Sequence, residues 1–231
     1  MKTIGLIGGM SWESTTEYYR IINEAIKEKL GGLHSAKIVL YSADMEEITL
    51  LQHEEKWDEL TDLMIDAAKR VERSGSDLLL ICTNTMHKMA EQVARSIAIP
   101  LLHIADATAE RIVSLNLKRV ALLGTRFTME QDFYKGRLRD RYNLKVIIPN
   151  EADRQDVHNI IYQELCAGEI KSSSKEQLKA TIRRLVSNGA QGIILGCTEL
   201  PLLIKQDDSP VPVFDTTRIH AEAAVEYALE Q

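Results

Sequence analysis

DLLLICTNT (Asp77 to Thr85) and QGIILGCTE (Gln191 to Glu199) are two hydrophobic runs of strand length, each ending in a cysteine followed by hydroxyl, amide or carboxylate side chains. The two cysteines, Cys82 and Cys197, are 115 residues apart, and the surroundings of the first run recur around the second. The strand and turn IGLIGGM is echoed by VALLGTRFTM, with Gly8 and Gly124 116 residues apart, and IPLLHIADA by VPVFDTTRI, with Pro100 and Pro212 112 apart. Three matched pairs at nearly one offset point to an internal duplication.

Between these runs the chain alternates short β-branched stretches with amphipathic stretches of helical length, the pattern of parallel sheets covered by helices. Strands are predicted at Thr3 to Ile7, Lys37 to Tyr41, Asp77 to Cys82, Pro100 to His103, Arg119 to Leu123, Lys145 to Ile148, Gln191 to Cys197 and Val211 to Phe214. Helices are predicted at Glu13 to Lys29, Lys56 to Ser74, Met86 to Ile97, Asp106 to Leu115, Met129 to Arg141, Asp153 to Cys166, Lys175 to Ser187 and Ile219 to Leu229. The expected fold is α/β, with two pseudo-symmetric lobes, 1–116 carrying Cys82 and 117–231 carrying Cys197. The final helix is a candidate to pack on the first lobe. Parallel sheets bind ligands at the carboxyl ends of their strands, so the expected active site is a cleft between the lobes with the two cysteines facing each other.

The composition narrows the function. With 231 residues, 45% hydrophobic and 27% charged, the chain has the make-up of a folded soluble protein. A net charge of −6, with Lys and Arg scattered among acids, argues against nucleic acid as a partner. Basic clusters such as Arg137, Arg139 and Arg141 read as solvated helix faces. No apolar run spans a bilayer and the start MKTIGLIGG is not a signal peptide, so the expected address is the cytoplasm, away from membranes. Three cysteines without a Cys-x-x-Cys pair suggest neither a disulfide framework nor a zinc site. No metal site is expected, and no lysine stands out as a Schiff-base candidate.

A buried free cysteine is often only a small hydrophobe. Two at matching positions, both with threonine-bearing sequels, instead suggest a chemical task. A helix expected to begin near Thr85 or Met86 would direct its N-terminal N–H groups and dipole at the Cys82 thiol, lowering its pKa and making a thiolate available. Thr83, Asn84, Thr85 and Thr198 add donors suited to an α-carboxylate. With a substrate's α-carbon between two thiols, one takes the α-proton and the other returns a proton to the opposite face, while preorganised donors stabilise the enolate. Cys166, in YQELCAG, lacks such a sequel and reads as structural.

The motifs Cys82-Thr83-Asn84-Thr85-Met86-His87, Gly196-Cys197-Thr198-Glu199 and Gly8-Gly9-Met10-Ser11-Trp12 resemble the aspartate/glutamate racemase family, nearest its aspartate racemase-like and broad-specificity amino-acid racemase branch. The resemblance covers essentially the whole chain. It implies a cofactor-independent, homodimeric enzyme with two pseudo-symmetric lobes and paired cysteines as acid and base. It further implies that Met10, Ser11 and Thr83 to Thr85 line the substrate site, and that Gln52 falls at a less constant side-chain contact. One departure bears on the substrate. Aspartate-specific relatives carry a cationic residue after the second strand, but Asp44 to Gln52 here contains no Arg, and Glu46 or Glu47 would repel an acidic side chain if turned inward. Lys171 is a possible substitute, against the reading of an exposed loop charge. The expected substrates are neutral or basic amino acids, or a broad range.

Other features weigh less. The turn Gly5 to Gly9 matches neither nucleotide fingerprint. His87 is a candidate to tune Cys82, or to act as a helix cap; His103 and Asp215 end matched strands. Thr125 and Thr128 mirror Met10 and Ser11, as secondary contacts or as a helix cap. The competing readings are the same fold acting on hydantoins, arylmalonates or maleate, and a two-lobed binder without chemistry.

Overall fold

The computed structural model describes residues 1–230. In chain order its first half runs β1 (Ile4–Gly8), α1 (Trp12–Leu30), β2 (Ile38–Ser42), α2 (Met45–His53), α3 (Trp57–Arg73), β3 (Leu78–Ile81), a 3-10 segment Thr85–Met89, α4 (Ala90–Arg95), β4 (Leu101–Leu102) and α5 (Ile104–Ser114). The second half runs β5 (Arg119–Gly124), α6 (Arg126–Glu130), α7 (Asp132–Tyr142), β6 (Lys145–Ile147), α8 (Glu151–Asn159), a π segment Ile160–Glu164, a 3-10 turn Leu165–Ala167, α9 (Ser172–Ser187), β7 (Ile193–Gly196), α10 (Leu200–Leu203), β8 (Val213–Asp215) and α11 (Thr216–Leu229). Residue contacts group Met1–Ile104 with the segment from His220 as one unit and Ala105–Ile219 as another. Asn116 thus follows the end of α5, a helix tied to α7 by a two-pronged ion pair of Asp106 with Arg137, both N···O distances 2.6 Å.

The first unit is built on a four-stranded parallel sheet of order β2-β1-β3-β4. Every residue of β1 and β3 is buried because helices cover both faces, which is why these strands read as unbroken hydrophobic runs. On one face Ile4, Leu6, Leu78 and Leu80 pack with Tyr18, Ile22 and Ile26 of α1 and with Ala221, Ala224, Val225 and Ala228 of α11. On the other, Ile7, Leu79 and Ile81 pack with Leu60, Met64, Ala67, Ala68 and Val71 of α3, an apolar stripe at helical spacing.

The second unit repeats this plan. Its sheet has the order β6-β5-β7-β8, again all parallel. Ala121, Leu123, Ile193 and Leu195 pack with Val157 of α8 and with Leu178, Ile182 and Leu185 of α9. All eight predicted strands are present, and the two sheets share one strand order, as a duplicated chain requires.

The helices depart from expectation where the apolar signal is thin. α2 was not predicted: only Ile48 and Gln52 of its nine residues are buried, and it is started by Asp44, whose carboxylate accepts the Glu46 N–H. The stretch after Cys82 is a 3-10 turn that gives way to the short α4, rather than one helix over 86–97. The helix predicted to Cys166 is α-helical only to Asn159.

His220 of α11 is fully buried in the first unit; its Nδ1 accepts from Tyr18 Oη–H at 2.9 Å and its Nε2–H donates to the Leu102 carbonyl at 3.0 Å. Burial lowers its pKa from 6.5 to about 4. The unfolded chain therefore takes up a proton as pH falls below 6.5, which the native state refuses until about 4, so stability drops across that window and is unaffected above it. The full effect is about 3 kcal/mol for one such group. Melting temperature should fall between pH 7 and 4.5, with a shallower slope in H220Q; equal slopes would count against this ring as the cause.

Candidate active site

Four parallel strands end together, so the residues that follow β1, β2 and β3 gather at one edge of the first sheet. After β1 the chain turns through Gly9, whose φ of +87° favours glycine, to Met10 and Ser11. Ser11 caps α1 by accepting the Ser14 N–H at 3.3 Å, while Thr15 Oγ1 accepts the Gly9 N–H and donates to the Ser11 carbonyl, both at 2.8 Å. From α2, Gln52 reaches the turn after β3, its Nε2 lying 3.3 Å from Met86 Sδ. Met10, Ile48, Met86 and Met89 share one apolar cluster. Met10, Ser11, Gln52, Asn84 and Thr85 are all buried, and Thr83 is half-buried. The first-unit residues expected in the site are thus brought to one end of one sheet.

The corresponding edge of the second sheet carries Thr125 after β5 and Cys197, Thr198 and Glu199 after β7. Thr125 is a helix cap, accepting the Thr128 N–H at 3.3 Å. Glu199 is the residue that sequence reasoning passed over. It is 5% exposed, and one of its oxygens, Oε2, accepts from both Cys197 Sγ–H and Thr198 Oγ1–H at 2.9 Å. Its signal was an acidic residue two positions after the cysteine, within reach of the thiol. Tyr162 and Cys166, from the π segment and the turn after it, pack against the cluster that contains Cys197.

Strand register separates the two cysteines. β1 pairs with β3 so that Ile7 faces Ile81, which brings Gly8 level with Cys82. β5 pairs with β7 so that Gly124 faces Gly196. Gly8 and Gly124 are the matched strand ends, so the counterpart of Cys82 is Gly196 and the counterpart of Cys197 is Thr83. The next ladders agree, since Leu80 faces Leu102 and thus Ile81 lies level with His103, while Leu195 faces Asp215. Side chains alternate along a strand, so a one-residue shift reverses the face. Cys82 accordingly joins the cluster under α1 and α11 with no exposed surface.

The expected thiolate at rest is not found. Burial pushes the Cys82 thiol well up, and burial followed by the Glu199 carboxylate does the same to Cys197. The five-residue 3-10 turn after Cys82 is too short a dipole to offset full desolvation. Glu46 and Glu47 face solvent, away from any buried site. Lys171 is also half-exposed and pairs with Glu169 at 2.8 Å and Glu164 at 3.6 Å, so it is a surface charge. Asp215 caps α11 by accepting the Thr217 N–H at 3.0 Å. Among the described residues no three His, Cys, Asp or Glu side chains are grouped to hold a metal ion, and no helix is long and apolar enough to cross a membrane.

Residues 7–224 match the family model described as Asp/Glu/Hydantoin racemase. The chain is 25% identical to the broad specificity amino-acid racemase RacX of Bacillus subtilis, over 96% of each chain. It is similar to the crystal structure of a candidate Asp/Glu racemase from Yersinia pestis, with 51% identity, full coverage of both chains and a TM-score of 0.94. It is also similar to that of an aspartate racemase homologue from Pyrococcus horikoshii, with 38% identity, full coverage of both and a TM-score of 0.87.

Proposed function

This chain belongs to the Asp/Glu/hydantoin racemase family, and from that premise we propose that Cys197 and Thr83 exchange protons with opposite faces of an amino acid's α-carbon, without a bound cofactor. By membership it is a racemase, an isomerase. The observation that carries the residue assignment is the register that makes Thr83 the counterpart of Cys197, joined to the Cys197 thiol's hydrogen bond to Glu199.

The chemistry follows from these groups. Cys197 rests as a thiol and must lose its proton before it can act as a base. Glu199 Oε2, already holding the S–H, is the acceptor. The thiolate then removes the α-proton, and the electron pair moves onto the substrate carboxylate as an enolate. Asn84 and Thr85 supply donors for that charge, while the Thr198 hydroxyl is held by Glu199. Thr83 Oγ–H delivers a proton to the opposite face and regains one from water, to which its half-buried side chain has access, and the proton held by Glu199 neutralises the hydroxide left behind. The reverse reaction uses the same steps backwards.

The substrate reading is neutral or basic amino acids, or a broad range. Its support is the absence of Arg in residues 44–52, the outward Glu46 and Glu47, the surface pairing of Lys171, and similarity to a relative named for broad specificity. A homodimer belongs to the same reading, carried over from the family resemblance, and a cytoplasmic address is the expectation from the sequence pattern.

Incubation with a panel of L- and D-amino acids in deuterated water, followed by NMR for α-hydrogen exchange and by chiral chromatography for inversion, tests this. Both should occur with several neutral or basic amino acids. Turnover of aspartate equal to or above all of them would overturn the substrate reading, and exchange with none would overturn the racemase assignment.

A further inference from the structure

His87 lies four residues beyond Thr83, on the 3-10 turn, and is 2% exposed. Its Nδ1 is 2.8 Å from the Thr83 carbonyl oxygen, and its Nε2 is 3.2 Å from the Ile104 backbone nitrogen. These partners leave one protonation state. The Ile104 N–H can only donate, so Nε2 carries a lone pair. The Thr83 carbonyl can only accept, so Nδ1 carries the hydrogen. A proton added at Nε2 would set two donors against each other at buried hydrogen-bond distance. The ring is thus a neutral imidazole in one tautomer, spanning from the turn after β3 to the residue that follows β4 and His103. It is packed in place by two more imidazoles, with ring centroids 4.5 Å away at His103 and 5.8 Å away at His220.

A ring held at both nitrogens fixes whatever it bonds. The bond goes to the backbone of Thr83, the one half-buried residue between buried Cys82 and buried Asn84. Thr83 lies in the bend between the end of β3 and the 3-10 turn, so the direction of its hydroxyl follows from its backbone orientation, which the sheet ladder does not hold. We propose that His87 is a positioning residue for Thr83, acting through the Thr83 carbonyl and touching neither substrate nor proton. This rests on the racemase reading and on the role given there to Thr83.

The test compares H87L, which removes both bonds, with H87N, whose side-chain amide keeps a donor near the Nδ1 position. Racemisation and α-hydrogen exchange without inversion are followed in deuterated water on the full chain, with melting temperature alongside. Exchange without inversion needs only Cys197, whereas inversion needs Thr83 as well. In H87L, inversion should fall by about tenfold or more, as expected for a misplaced acid–base group, while exchange without inversion continues and its ratio to inversion rises. H87N should stay within about threefold of the parent, since one hydrogen bond is restored. An unchanged ratio in H87L overturns the inference, whether activity is retained or both processes fall together with the melting temperature. Equal losses in H87L and H87N overturn it too. Failure of the parent protein to exchange any α-hydrogen is a different result: it removes the racemase reading, and this inference with it.

Discussion

C197S should lower racemisation by about 10³-fold or more, with exchange and inversion lost together, because general acid–base groups contribute about 10² to 10⁴ and a hydroxyl is a far weaker acid than a thiol. The loss should be in turnover, with binding little altered, since sulfur and oxygen occupy similar space and Glu199 can still accept a hydrogen bond. Folding should be retained: Cys197 sits at the rim of the second core rather than at its centre, with 7% of its surface exposed. The measurement is single-turnover exchange in deuterated water beside a melting curve. Turnover within tenfold of the parent would remove Cys197 from the mechanism, and with it the reason for Glu199 to be buried against a thiol.

The second large effect concerns which residue answers Cys197. T83V keeps the shape of the side chain and removes its hydroxyl, so inversion should fall about 10²-fold while exchange through Cys197 persists. C82A provides the contrast. Cys82 is fully buried among Ile4, Leu6, Tyr18 and the alanines of α11, so its loss should cost about 1 kcal/mol through a small cavity and leave turnover within a few-fold. The opposite pattern, an inactive C82A and an active T83V, would restore the two-cysteine mechanism that the motifs suggest at first sight. Each variant gives both a stability and a rate, so a folding defect cannot be mistaken for a lost proton donor.

Much of this protein was legible in its sequence because the relevant signals are local. The runs at Leu78 to Ile81 and Ile193 to Gly196 are hydrophobic at every position, as fully covered parallel strands must be. The helices that cover them show apolar residues at helical spacing, as α3 does from Leu60 to Val71. The duplication was visible as repeated order, and the paired motifs pointed to the carboxyl ends of β3 and β7. Met10, Ser11, Gln52 and Thr83 to Thr85, which the motif resemblance singles out, are brought to one sheet edge by the fold.

What the sequence alone determined, then, is two α/β units of one plan, each with a chemically distinctive turn after its third strand, in a chain of racemase character. The tertiary structure decided which side chain in each turn faces which way. A cysteine is the conspicuous residue in both motifs, and aligning cysteine on cysteine is the natural reading of a linear repeat. The ladders β1 to β3 and β5 to β7 instead end on Ile81 and Gly196, a register set by hydrogen bonds to a neighbouring strand that lies far away in sequence, and the proposed pairing of Thr83 with Cys197 continues them. Burial likewise raises the pKa of both thiols, through desolvation by residues brought in from α1, α8, α9 and α11 and, at Cys197, through the Glu199 carboxylate. An alternating chain reverses its face at every residue, so a difference of one position in register changes which side chain faces the core and is invisible in composition and motif.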